Sequence, residues 1–188
     1  SAALNYLLDK NSGFQTGSII DLDGGSSESE FRELRLPQDL RQFRELLTES
    51  FPEVNAKSSF SDLSLNWKFE SERSQLLSIC GFNNQNLETF YGVLPRNYTL
   101  NGNHLNVGLV VDVMTNTALR GQGLFVRSGL EAIRRLERTN VKTVIGFPIR
   151  KEVLPGHLKV GWNVQLTMPI YVCPVGSAQN KGFNHRLI

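Results

Sequence analysis

The sequence predicts an α+β domain: a mixed, mostly antiparallel central sheet flanked by helices, with one βαβ crossover. Three observations carry this expectation. Short β patterns separated by turn signals crowd residues 76–105, as in an antiparallel meander. An almost continuously apolar run, Val107 to Thr115, is broken only by Asp112 and has the character of a central strand covered on both faces. That run leads through Arg120-Gly-Gln-Gly123 into an amphipathic helix, roughly Gly123 to Arg138, and then to a second apolar strand, Val141 to Phe147.

The elements follow in order. Phe31 to Leu36 alternates as a strand, and Pro37 opens a helix whose apolar stripe is Leu40, Phe43, Leu46, Leu47 and Phe51. Pro52 stops it. Residues 53–66 are polar, with a short helix around Ser61 to Leu65. Leu76 to Cys80 and Glu88 to Leu94 read as strands on either side of the Asn83-Asn-Gln-Asn86 turn. Pro95 to Tyr98 reads as a break, and Asn101-Gly102 as a hairpin turn between Tyr98–Leu100 and His104-Leu105. The crossover helix carries Leu124, Phe125, Leu130, Ile133 and Leu136 on its apolar side, with Arg134, Arg135, Glu137 and Arg138 opposite. A short helix from Glu152 to Lys159 and a final strand from Asn163 to Cys173 complete the pattern. Residues 1–30, with the Gly-, Ser- and acid-rich run Asp21 to Glu30, are expected to be a flexible segment or linker, residues 31–175 the compact domain, and residues 176–188 a tail.

Composition narrows the class. Forty per cent hydrophobic and twenty per cent charged residues in 188 suit one soluble domain with a sizeable core. A formal net charge of +2, with basic and acidic residues interleaved, argues against nucleic acid as a partner. Cys80 and Cys173 are far apart, in no CxxC and beside no histidine pair, so they are read as reduced core thiols and no metal site is expected. No apolar run is long enough to span a bilayer, and no signal-peptide pattern is visible at Ser1; a cytoplasmic setting without membrane association is the expectation.

The segment around Arg120-Gly-Gln-Gly-Leu-Phe125 is the most informative. Glycine allows close approach of backbone to a ligand, and the first N–H groups of a helix lack internal partners and favour an anion such as phosphate. The alternative is that the two glycines only close a tight strand-to-helix turn. GxxxxGK(S/T) is absent, against a P-loop nucleotidase, and so is GxGxxG, against a dinucleotide fold.

Arg120-Gly-Gln-Gly-Leu-Phe125 resembles the acyl-CoA pyrophosphate loop of GNAT-type N-acetyltransferases, (Q/R)xxGx(G/A), with Phe125 where the family usually has a small residue. Asp112 to Arg120 resembles the family's acidic-LxVxPxYR run, with Thr117 in the proline's place. Gly146-Phe-Pro148 and Leu158-Lys-Val-Gly-Trp162 are similar to the GFPN … YxKLG(F/W) ending of one branch, with Ile149 replacing the asparagine. Asn66-Trp-Lys-Phe69 resembles that branch's W(K/R)(Y/F) element. These matches span about residues 31 to 173, in order.

The resemblance implies a GNAT fold and acyl transfer, with acetyl-CoA or another acyl-CoA as co-substrate and a small amine, such as an amino sugar, as acceptor. It implies that backbone groups of Val113, Met114 and Thr115 hold the pantetheine. The pyrophosphate would lie on Gly121, Gln122, Gly123, Leu124, Phe125 and Val126, with Arg120 adding charge. Asp112 matches a family acidic position: it is either a base whose burial raises its pKa, or a structural carboxylate satisfied by backbone or by a lysine. His157 stands where the family commonly has a tyrosine that protonates the leaving thiolate, and is either that acid, as an imidazolium, or a solvated residue on a short helix. Trp67 and Phe69 either line the acceptor pocket or belong to the core. Two other readings stand beside this one: a GNAT-like domain of a larger synthase acting on an acyl carrier protein, and a module that binds acyl-CoA without turnover.

Overall fold

The computed structural model describes residues 29–52 and 61–168. Its sheet has five strands in the order β1-β2-β3-β4-β5: β1 Glu30–Glu33, β2 Ile79–Asn83, β3 Asn86–Leu100, β4 Asn103–Thr115 and β5 Thr143–Gly146. All neighbours are antiparallel except β4 and β5, which are parallel and joined by a crossover helix, Leu124–Leu136. Among the described residues, three helices stand before β2, α1 Leu40–Ser50, α2 Asp62–Lys68 and α3 Glu72–Leu77; the crossover helix is α4, and α5 is Leu154–Lys159.

Two-residue turns fix the meander. Asn101 and Gly102 take φ of 51° and 78°, and Asn84 and Gln85 take 46° and 68°. Both central residues left-handed is the pairing that matches the twist of an antiparallel hairpin. The expected break at Pro95 is absent: β3 runs through it, with Pro95 opposite Gly108. Pairing of β2 with β3 ends at Tyr91, so the proline lies where β3 has no neighbour on one side and a missing N–H costs no ladder bond. The expected strand at Leu76 to Cys80 divides into the end of α3 and the start of β2. Ser71 caps α3, its hydroxyl accepting from the Ser74 N–H, and this local bond outweighs the short β pattern. Pro37 lies in a turn and α1 starts at Leu40, after Asp39 has accepted two bonds of 2.7 Å from Arg32 and one from the Arg35 N–H. Residues 163–168 form no strand, and the rest of the expected final strand, Cys173 included, lies outside the described residues, as do residues 1–28, 53–60 and the tail.

Each face of the sheet has its own core. On one face α1 and α2 bring Phe43, Leu47, Leu65 and Phe69 against Phe90, Leu94 and Met114. Phe43, Phe69 and Phe90 meet edge to face, with centroids 4.6 to 5.6 Å apart, a favoured aromatic geometry. On the other face α4 covers Ile79, Tyr91, Val93 and Val110 with Ala132 and Leu136. The buried side of α4 is Leu124, Ser128, Gly129, Ala132 and Leu136, whereas Leu130 is half-exposed, contrary to the expected stripe. Small residues set that contact: a Cβ on Gly129 would meet Val160 at 2.7 Å and the Tyr91 ring at 3.1 Å. No helix among the described residues is long and apolar enough to cross a membrane.

Phe69, fully buried in the aromatic triad, belongs to the core and faces no acceptor pocket. Phe69→Leu is expected to lower folding stability by about 1–2 kcal/mol, read as a reduced melting temperature, while leaving the KM for an acceptor amine unchanged. A change in that KM at constant stability would return Phe69 to the pocket.

Candidate active site

The site begins where the parallel pair parts. The β4–β5 ladder runs from Val107 and Thr143 to Val110 and Gly146 and stops. β4 continues to Thr115, bonded only to β3 on its other side. Along residues 111–115 the alternate N–H and C=O groups of the open edge have no strand beside them among the described residues. Such groups demand partners, and an extended polar ligand laid along the edge supplies them.

A β-bulge stands at the same place. Phe90 pairs with Met114 and Gly92 with Val111, so Tyr91 alone opposes Asp112 and Val113. Asp112 takes φ of 49°, a left-handed conformation that aspartate tolerates better than most residues, and bulges of this kind re-aim side chains beside active sites. Gly92 makes the bulge possible, since a Cβ there would lie 2.5 Å from the Val111 carbonyl oxygen.

Asp112 is partly buried and ion-paired: Lys68 Nζ donates to Oδ2 at 2.5 Å, from the last residue of α2. Of the two readings of this carboxylate, the pairing with a lysine is therefore present. Glu49, near the end of α1, accepts from the N–H and hydroxyl of Thr117 and from Asn116 Nδ2, fixing the turn after β4. The Thr117 hydroxyl and N–H, with Arg120 nearby, hold the Glu49 carboxyl below its ordinary range. Arg150, on the segment after β5, donates to the Ser50 carbonyl, so both sides of the opening are tied to the end of α1.

Beyond a 3₁₀ turn at Thr117–Leu119, Gly121 and Gly123 take φ of 84° and 78°, and a Cβ on either would meet nothing within 4 Å. The first turn of α4 has no side-chain cap. The N–H groups of Gly121, Gly123, Leu124, Phe125 and Val126 find no acceptor among the described residues, and the first backbone bond of the helix comes from Arg127 to Gly123. Arg120 is exposed beside this turn. A left-handed backbone with outward N–H groups and open space in front has the build of an anion cradle.

His157 is buried, not solvated as one reading of the sequence had it. Its ring lies 4.9 Å from Phe125, 4.7 Å from Trp162 and 6.1 Å from Tyr91, and Nδ1 is 3.4 Å from the Tyr91 hydroxyl. Burial lowers the imidazole's pKa, so the uncharged ring is the form held at neutral pH. Burial pushes the Tyr91 hydroxyl up, offset in part by the Trp162 indole. The same cage accounts for Phe125: its ring turns inward over Gly156, where a Cβ would clash at 2.6 Å, so the large side chain leaves the mouth of the loop open.

The linkage has a definite sign. With the folded value of His157 below its ordinary 6.5, the unfolded chain takes up the proton first, and stability falls as pH drops from about 6.5 through the lowered value. Glu33, held at about 2 by Arg35, loses its contribution only below about 4.5, in a separate window. His157→Phe fills the cage without titrating and is expected to flatten the loss between about pH 7 and pH 5.5. Urea midpoints at the two pH values check this; an unchanged pH slope would show another group to be responsible.

Of the expected substrate-binding pair, Phe69 is core. Trp67 is exposed and lines a shallow cleft of about 400 Å³ with Leu36, Pro37, Leu63, Asn66, Glu70 and Gln75, none of them from β4 or the glycine loop. Cys80 is fully buried, and burial pushes its thiol up, as befits a reduced core thiol. Among the described residues no group of histidine, cysteine and carboxylate side chains is placed to hold a metal. Lys68, Glu49 and Tyr91 join the site from positions that sequence reasoning passed over. Gly92 left a signal there, because a glycine inside an apolar strand pattern marks a bulge.

A parted parallel pair, a bulge with a carboxylate at the parting and a bare helix N-terminus after it suit an extended ligand that ends in an anion, as the co-substrate of an acyl-CoA-dependent acetyltransferase does. The chain belongs to the GNAT acetyltransferase family, whose domain model, described as acetyltransferase (GNAT) domain, matches residues 30–164. Solved structures agree in fold. Glucosamine-6-phosphate N-acetyltransferase from Arabidopsis thaliana is 19% identical, with a TM-score of 0.59 over 77% of this chain and 99% of that one. An aminoglycoside N-acetyltransferase in complex with CoA is 12% identical, with a TM-score of 0.62 over 82% and 100%. A GNAT acetyltransferase from Brucella melitensis in complex with acetyl-CoA is 16% identical, with a TM-score of 0.53 over 68% and 80%. No curated protein matches the sequence significantly.

Proposed function

We propose that this domain transfers an acetyl group from acetyl-CoA to a small primary amine, an amino sugar being the preferred class. The observation that carries the reading is the open edge of β4 at residues 111–115, set between the Asp112 bulge and the glycine loop. Backbone groups of Val113, Met114 and Thr115 take the amide-bearing arm of the donor as they would take a further strand. The N–H groups from Gly121 to Val126, with Arg120, take its pyrophosphate. The fit rests on unpartnered backbone donors and open space at both glycines. When bound, the donor supplies an activated thioester.

Asp112 accepts the proton of the ammonium acceptor, directly or through one water. The neutral amine then attacks the thioester carbon: an N–C bond forms, the C–S bond breaks, the nitrogen's second proton passes to the departing thiolate, and Asp112 returns its proton to solvent. Holding the amine and the thioester together supplies much of the acceleration, and a backbone N–H of β4 polarises the carbonyl. His157, uncharged in its aromatic cage, acts by holding the Tyr91 hydroxyl and the first turn of α4 in place rather than as a free imidazolium. The small-amine reading also draws support from the acceptors that the glucosamine-6-phosphate and aminoglycoside enzymes are named for.

Incubation with acetyl-CoA and a panel of amino sugars and simple amines, following thiol release, tests the proposal. Release that requires an amine supports it. Saturable binding of acetyl-CoA with no release under any amine would leave a binding module and overturn it.

A further inference from the structure

Asp112 already has an amine against it. Lys68 Nζ lies 2.5 Å from Oδ2, at the bulge where β4 has just lost its parallel partner. A base that serves an acceptor directly holds that acceptor's nitrogen within hydrogen-bond distance, and here a primary amine of the chain itself occupies the position. The placement is built in. Lys68 is the last residue of α2, and the next residue, Phe69, is fully buried between Phe43 and Phe90, which pins the backbone that carries the lysine. The Lys68 side chain is about two-thirds covered, so it is held rather than swept through solvent.

We infer that Lys68 is a self-acylation site, modified from acyl-CoA by the domain's own machinery. The inference rests on the acetyl-CoA site proposed above. The Lys68 ammonium gives a proton to Asp112, which passes it to solvent; the neutral Nζ attacks the thioester carbon and forms the N–C bond; as the C–S bond breaks, the nitrogen's second proton goes to the sulfur and CoA leaves as the thiol. The product, an Nε-acyl lysine, has lost its charge, so the pair with Asp112 is broken. Acylation therefore frees the carboxylate for an external ammonium ion, which otherwise competes with Lys68 for the same oxygen.

The test uses the full chain with acetyl-CoA and no added amine, followed by intact mass and peptide mapping. One acetyl group per chain is expected, located at Lys68, with a half-time independent of protein concentration because the step is intramolecular. Asp112→Asn should slow it by about 100-fold or more, and Lys68→Arg, which keeps the charge, should abolish it. Mapping the unaltered chain keeps the test valid if a variant folds poorly. Acetyl groups scattered over exposed lysines, or a half-time that shortens with protein concentration, would overturn the inference. So would an unmodified Lys68 in a chain that acetylates added amines, and that result would leave the proposed function standing. Calorimetry showing no binding of acetyl-CoA would remove both.

Discussion

Asp112→Asn is expected to lower the rate of amine acylation by about 10²- to 10⁴-fold, the usual contribution of a positioned base. The substitution is chosen for what it preserves. Asparagine tolerates the left-handed φ of 49° as aspartate does, so the bulge opposite Tyr91 should persist. Its side-chain carbonyl still accepts from Lys68, although the ionic component of that contact is lost. The affinity for acetyl-CoA should change little, because the proposed site holds the donor by backbone along residues 113–115 and 121–126. Thiol-release kinetics and calorimetry on the same preparation separate the two effects. A rate within about threefold of the unaltered chain would make Asp112 a structural partner of Lys68 and nothing more.

Gly123→Val attacks the other half of the site. With φ at 78°, a β-branched L-residue is strained by roughly 1–2 kcal/mol, and the loop relieves the strain by moving. No atom lies within 4 Å of the added Cβ, so the fold itself meets no clash; the added bulk is expected to take up space the phosphate would need. Losing two hydrogen bonds to a charged phosphate, about 1.5–3 kcal/mol each, amounts to at least a hundredfold weaker binding of acetyl-CoA. Calorimetry reads this directly, and undiminished binding would move the cofactor site away from the loop. Gly121→Val, at φ of 84° with the same open surroundings, should behave similarly.

Much of the fold was legible because it is encoded locally. The apolar run of β4, the glycines after it and the amphipathic helix behind them define the crossover within one stretch of chain. Asn101-Gly102 specifies its hairpin turn by itself. The boundaries that differ, at Leu76 to Cys80 and at Pro95, are places where local preference is ambiguous. There the answer depends on which edge of a strand is paired, or on a cap formed by a single serine hydroxyl.

The site divides in the same way. Backbone sites are written in short motifs, since the chemistry of Gly121 to Val126 comes from local φ values and from the start of a helix. Side-chain chemistry is assembled over long separations and leaves no local trace. Lys68 reaches Asp112 across 44 residues, and Tyr91 meets His157 across 66. Whether Asp112 was lone or paired, and whether His157 was wet or caged, depended on which residues the packed helices brought beside them.

Sequence alone determined the class of fold, the crossover and the glycine turn that opens its helix, because these follow from periodicity and from glycine's freedom at positive φ. Only the tertiary structure decided the partners: the lysine on the carboxylate, the aromatic cage that keeps His157 uncharged and absorbs Phe125, and the burial of Phe69. Burial and ion pairing are properties of neighbours, and neighbours are fixed only when α1, α2 and α4 close on the two faces of the sheet.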